Sequence, residues 1–180
     1  MATKKKKKTP TKKRKNKGVE CDGFVYSSKA ICDFHHWLKK AVQDGAIKLY
    51  KLPVLGDQGN KKTRAKKCMV DDYIFDSMME ARFYVMLKYE QQKGDVIKIE
   101  LQPQFTLLDK FKKLGKAVRA ITYRADFWVT RSDGKQYLYD VKGFKTDVFR
   151  LKKKLFDHRY PDIELICITY KARTQQWVEV

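Results

Sequence analysis

Acidic residues are missing from the first eighteen positions, which carry ten of the chain's lysines and arginines. Such a segment cannot bury apolar area and is expected to be disordered. Its charges can hold phosphates without reading bases. Long apolar runs are missing too. No stretch approaches the roughly 20 residues of a membrane span, and no N-terminal apolar segment resembles a secretory signal. No membrane partner is expected, and a soluble protein of the cytoplasm is. Cysteine is sparse. Cys21, Cys32, Cys68 and Cys167 form no C-x-x-C pair, so free thiols, some of them buried, are expected in a cytosolic chain.

What is present is positive charge. The 180 residues hold 41 Lys+Arg against 21 Asp+Glu, a formal net charge of +20. The first eighteen residues account for half of it, so the rest of the chain is itself strongly basic. A positive field over a whole domain suits a polyanion, most often nucleic acid; a solubilising surface is the plain alternative. At 43% hydrophobic composition, the length suits one domain with an appendage.

A weak internal repeat follows the basic segment. At one constant offset, "SKAICDFHHWLKKAVQDG" from Ser28 aligns with "SMMEARFYVMLKYEQQKG" from Ser77, matching Phe34 to Phe83, Leu38 to Leu87 and Gly45 to Gly94. Both copies read as a capped amphipathic helix ended by glycine and followed by a short strand. Glu80 in the second copy meets Ile31 in the first. The segment from Gly56 to Lys67 reads as a polar basic loop. After Pro103 come an extended piece, a basic turn near Lys112–Lys116 and a strand from about Ala117. A helix follows, with Thr146 as N-cap, Val148, Leu151 and Leu155 on one face and Arg150, Lys152, Lys153 and Lys154 on the other. A buried strand from Ile163 to Tyr170 and an edge strand close an α/β arrangement with a mixed sheet.

The most informative stretch is "RADFWVTRSDGKQYLYDVKG". A three-residue loop, Ser132-Asp133-Gly134, predicts a hairpin in which Arg131 faces Lys135 and Asp126 faces Asp140. Asp126, Asp140 and Lys142 then share one face, with Phe127, Val129, Tyr137, Tyr139 and Val141 on the other. A two-residue loop would pair Asp126 with Val141 and separate the carboxylates. Opposed carboxylates repel, and a divalent cation completed by waters and a substrate phosphate relieves them. The plain alternative is a charged hairpin with Lys142 paired to an aspartate. Glu80 is a third acid near the buried side of its helix, although Ser77-Met78-Met79-Glu80 also fits a capping box.

In combination, "IFDSMMEARFYVML", "ELQPQF", "ITYRADFWV", "YDVKG" and "FRLKKKLFDHRYP" resemble a bacteriophage family of PD-(D/E)XK, restriction-endonuclease-like nucleases related to Holliday-junction resolvases. The resemblance covers about Lys66 to Tyr170. It implies an α-β-β-β-α-β core over residues 66–180, with a helix-strand extension over 19–65 and a basic tail over 1–18. It implies an endonuclease that hydrolyses DNA phosphodiesters, on branched or Holliday-junction DNA by analogy, in the host bacterial cytoplasm. A non-catalytic basic nucleic-acid-binding protein is the alternative. The implied catalytic set is Glu80, Asp126, Asp140 and Lys142. Asp126 and Asp140 would bind Mg²⁺, or Mn²⁺ in its place, with Glu80 as an outer acid, and Lys142 would orient water or stabilise charge. Gln102 falls near the expected substrate strand. Lys145, Thr146, Arg150, Lys153 and Lys154 are the further candidate DNA contacts, and a homodimer is expected by resemblance. One departure is Ala125, where the family usually has proline.

His35 and His36 with Cys21 and Cys32 offer zinc-type donors, but their spacing matches no finger. Adjacent helical residues point about 100° apart, so no zinc site is expected. His158 reads as a surface or phosphate contact.

Overall fold

The structure is a computed structural model that describes residues 18–54 and 67–180. The expected basic tail, and the basic loop up to residue 66, lie outside the described residues. In chain order the elements are β1 (Val19–Cys21), β2 (Phe24–Tyr26), α1 (Lys29–Gln43), β3 (Tyr50–Lys51), β4 (Cys68–Val70), β5 (Tyr73–Phe75) and α2 (Met78–Lys93). Next come β6 (Val96–Leu101), β7 (Gln104–Leu108), β8 (Phe111–Lys113), β9 (Lys116–Val118), β10 (Ile121–Arg124), β11 (Phe127–Arg131) and β12 (Gln136–Val141). The chain closes with α3 (Asp147–Arg159), β13 (Leu165–Lys171) and β14 (Gln176–Glu179). The fold is mixed α/β. No helix among the described residues is long and apolar enough to cross a membrane.

The main sheet has the order β14-β13-β12-β11-β6, with β12 and β13 parallel and the other neighbours antiparallel. Parallel neighbours need a crossover, and α3 supplies it. The strands alternate between two cores. Phe127, Val129 and Val141 face a cluster with Phe83, Val85 and Leu87 of α2 and Phe34 and Leu38 of α1. Leu138 and Cys167 face a second cluster with Phe149 and Phe156 of α3 and with Phe105 and Tyr123 of β7 and β10. Tyr139 is half-buried against the first cluster, whereas Tyr137 carries Arg131 over its ring.

The repeat is larger than the sequence suggested. Each copy is a β-hairpin followed by a helix: β1-β2-α1 and β4-β5-α2. Both hairpins turn on two consecutive left-handed residues, Asp22-Gly23 and Asp71-Asp72, the backbone that tight hairpin turns require. In both, the turn aspartate accepts a side chain from the following helix: His35 approaches Asp22, and Tyr84 donates to Asp71. The strands after the helices diverge. β3 is two residues long and pairs with β4, while β6 joins the main sheet.

One expectation is extended and one needs correction. The extended piece, the turn within Lys112–Lys116 and the strand that follows are all present, and they pair with each other into a long antiparallel ribbon, β7 with β10, continued by β8-β9 around Leu114-Gly115. The buried face of α3 is also shifted. Val148 and Leu151 are exposed, and Phe149 and Phe156 are buried instead. The β7-β10 ribbon offers aromatic partners there. The Phe156 ring lies 5.1 Å from Phe105 and 5.8 Å from Tyr123, and large rings bury more apolar area than valine or leucine. Thr146 caps α3 as expected, accepting from the Phe149 amide at 3.2 Å.

Phe156→Ala should therefore cost about 3–5 kcal/mol, and Leu151→Ala less than about 0.5 kcal/mol. Urea melts of the two variants check this; the opposite ranking would restore the Val148–Leu151 face.

Candidate metal centre

The hairpin that carries the aspartates forms as its turn chemistry dictates. Gly134 adopts φ +81, its amide donates to the Arg131 carbonyl at 2.9 Å, and Asp133 accepts from the Lys135 amide at 3.0 Å. The pairs Phe127↔Tyr139 through Thr130↔Gln136 place Asp126 opposite Asp140. The three-residue loop and its register are both realised.

Asp126 lies where the long strand pair bends. β6 pairs with β11 and β7 with β10, and between them Gln102 and Pro103 face Asp126 and Ala125. The Gln102 amide donates to the Asp126 carbonyl at 2.9 Å, and the Ala125 amide to the Pro103 carbonyl at 3.1 Å. Gln102 has φ +53. That is uncommon for a non-glycine residue, more so before a proline. Backbone of this kind persists where its surroundings hold it, often beside a site.

Asp140 is completely buried on the face toward α3. The Tyr123 hydroxyl donates a short hydrogen bond to its Oδ2. Its Oδ1 lies 2.8 Å from Lys142 Nζ in an ion pair. Asp126 Oδ2 accepts from the Val141 amide at 2.7 Å. Burial, then the charge and hydrogen bond of Asp140, push the Asp126 carboxyl up to about 8. The two carboxyls titrate as a pair, and their closeness favours holding one proton between them. Burial would lower the Lys142 ammonium, but the charge of Asp140 outweighs it and holds the group above its ordinary value. Lys142 is thus a stable cation at neutral pH, suited to stabilising charge and not to accepting a proton. Burial, then Asp140, raises the Tyr123 phenol, so it stays protonated as a donor.

Glu80 is committed to a capping box. Its amide donates to Ser77 Oγ at 3.2 Å, and its carboxylate accepts from the Ser77 hydroxyl at 2.8 Å and from the Asp76 amide at 3.1 Å. Burial raises its carboxyl above the ordinary range. It shares a cleft of about 280 Å³ with Gln102 and Asp126. Its oxygens do not converge with those of Asp126 and Asp140 into one tight cluster, so Glu80 faces the site as an outer acid.

A second cleft, of about 490 Å³, opens on the other side and is lined by Lys142, Thr146, Gln104, Arg124 and Lys152. Lys145, Arg150, Lys153 and Lys154 line a separate groove along α3. There Arg150 pairs with Asp147 at 3.2 Å and Lys153 with Asp157 at 2.8 Å. The expected DNA contacts therefore divide among Gln102 in the cleft with Asp126, Thr146 in the cleft with Lys142, and a basic groove along α3. Tyr123 was missed. Its one signal was a position three residues before Asp126, which without the β7-β10 ribbon points nowhere.

The donor set fits a hard divalent cation. It consists of two carboxylates in contact, sharing one proton that a cation can displace, with room for water and phosphate in the adjoining clefts. Asp126 and Asp140 would hold the ion.

Over residues 60–176 the chain matches the family described as Protein of unknown function (DUF1064), and it belongs to that family. No curated protein matches it. The whole site lies inside the matched segment.

Because burial and the neighbouring Asp140 hold the Asp126 carboxyl well above its ordinary range, binding of Mg²⁺ at pH 7 should release protons. Affinity should rise with pH up to about 8 and then level off. Calorimetry in buffers of different ionisation enthalpy measures this; zero proton release would contradict the protonated pair. The same raised pKa makes metal-free wild type lose stability as pH rises from about 4 to about 8. Asp126→Asn should lack that loss in thermal melts across the range.

Proposed function

We propose that this protein is a Mg²⁺-dependent endonuclease that hydrolyses DNA phosphodiesters on a restriction-endonuclease-like core. The observation that carries the reading is the completely buried Asp140 facing the half-buried Asp126, with the Lys142 ammonium 2.8 Å from Asp140. Three further features support it: a net charge of +20, two clefts, one lined by Asp126 and Glu80 and the other by Lys142 and Tyr123, and the order α2, β6, β11, β12, α3, β13 in and around the main sheet.

A divalent cation held there would supply Lewis-acid polarisation of the phosphodiester. The chain's own residues do the rest. Asp126 and Asp140 hold the charge in place, and the Tyr123 hydroxyl fixes the orientation of Asp140. Lys142 stabilises the extra negative charge that develops on the phosphate during attack. Glu80, at the rim of the first cleft, hydrogen-bonds water entering the site. Gln102 and Thr146 lie where a DNA strand passing the carboxylates would meet them. Lys145, Arg150, Lys153 and Lys154 extend a phosphate-binding track along α3. The β8-β9 arm adds Lys112, Lys113 and Lys116, with Phe111 and Leu114 exposed beside them.

Incubation with linear, flap and four-way-junction DNA in Mg²⁺, Mn²⁺ or EDTA is the test. Cleavage should need the cation. Asp126→Asn and Asp140→Asn should abolish it while DNA binding stays equal or tightens. Lys142→Ala should lower the single-turnover rate by about 10²–10³. Cleavage in EDTA, or wild-type rates in either aspartate variant, would refute the assignment. DNA binding with no cleavage of any substrate would favour a basic binding protein on the same fold.

A further inference from the structure

A second cluster of ligand-type side chains lies outside the matched family segment, in the first hairpin–helix copy. Cys21 ends β1, and Cys32 and His36 stand one turn apart on α1, where residues four apart share a face. Their two sulfurs and His36 Nε2 all lie within 4.8 Å of one another. Cys21 Sγ is 3.2 Å from His36 Nε2. The sulfurs of Cys21 and Cys32 are in bonding contact, with Cα atoms 6.0 Å apart. This departs from the expectation of four free thiols, which holds for Cys68 and Cys167. Both clustered cysteines are buried, and the imidazole opens to solvent. Beside it Asp22 presents Oδ1 3.9 Å from His36 Nε2, while its Oδ2 is held by Lys39 at 2.6 Å.

The second copy shows what these positions do by default. At the constant offset of the repeat, Cys21, Cys32 and His36 correspond to Val70, Ala81 and Val85, and all three are completely buried. The hairpin–helix geometry brings these positions together in both copies. In one they are a trio of apolar core residues; in the other all three are soft-metal ligands. A disulfide would use two of them and leave the imidazole without a role.

We propose that Cys21, Cys32 and His36 form a Zn²⁺ site, with a fourth position open to solvent beside Asp22. Two thiolates and an imidazole suit zinc and not magnesium, whereas the paired carboxylates suit magnesium. The two ions are thus sorted by donor chemistry. The expectation of no zinc site weighed the adjacent histidines. The pair that converges is Cys32 with His36, and His35 is instead engaged by Tyr26 and Tyr50 at 3.1 and 3.2 Å. Zinc here would staple a hairpin to its helix.

The test is zinc content of the full chain, purified under reducing conditions without chelator. One zinc per chain is expected, and Co²⁺ in its place should show thiolate charge-transfer absorption. The Cys21→Val/Cys32→Ala double variant carries the second copy's own residues and should fold, by circular dichroism, without binding zinc. His36→Ala removes an exposed side chain, so its folding is not at issue. It should weaken zinc by more than about 100-fold, beyond the loss typical of residues that only support a ligand. His35→Gln should leave zinc bound. A zinc-free wild type whose intact mass shows a Cys21–Cys32 disulfide would overturn the proposal, as would zinc retained in the double variant.

Discussion

Two carboxylates held face to face across one hairpin, one fully buried and the other half-buried, set the terms for the rest of this structure. Asp140 has no exposure at all, and Asp126 lies directly across the hairpin from it. Buried like charges in contact are costly unless a proton, a cation or donors compensate. The protein uses all the donors it can bring. Tyr123 donates to one oxygen of Asp140, Lys142 stands at 2.8 Å from the other, and the Val141 amide donates to Asp126. One negative charge still remains uncompensated, and a proton held between the two carboxyls takes it up. On the proposed reading, a divalent ion would take the place of that proton.

The fold is arranged around keeping the pair there. The β6-β7 and β10-β11 strands form one ribbon that bends where Gln102 faces Asp126. Below the bend the ribbon is part of the main sheet over α2. Above it the ribbon covers α3 and brings Tyr123 to Asp140. The left-handed backbone of Gln102 belongs to this bend. The two helices then cover opposite faces, Phe83 and Leu87 on one side and Phe149 and Phe156 on the other.

Local chemistry was legible in the sequence, and long-range contact was not. The Ser132-Asp133-Gly134 loop is short enough for its turn type to set the register, so the facing of Asp126 and Asp140 followed from residues within one hairpin. The Ser77–Glu80 cap and the Thr146 cap were readable for the same reason. The α3 face was misread because Val148 and Leu151 satisfy helical spacing as well as Phe149 and Phe156 do. The choice belongs to Phe105 and Tyr123, far away in sequence. The Cys21, Cys32 and His36 cluster was passed over because a hairpin and a helix supply it jointly, at a spacing that resembles no familiar pattern.

The most direct measurement is a crystal structure of the protein with Mn²⁺, read by anomalous scattering. The account predicts a peak between Asp126 and Asp140, with carboxylate oxygens of both within about 2.3 Å of the metal and the remaining ligands supplied by water. Lys142 should be turned from Asp140 Oδ1 toward the open cleft. At saturating Mn²⁺, an Asp126–Asp140 contact still sharing its proton, with Lys142 still paired and no peak between them, would contradict it.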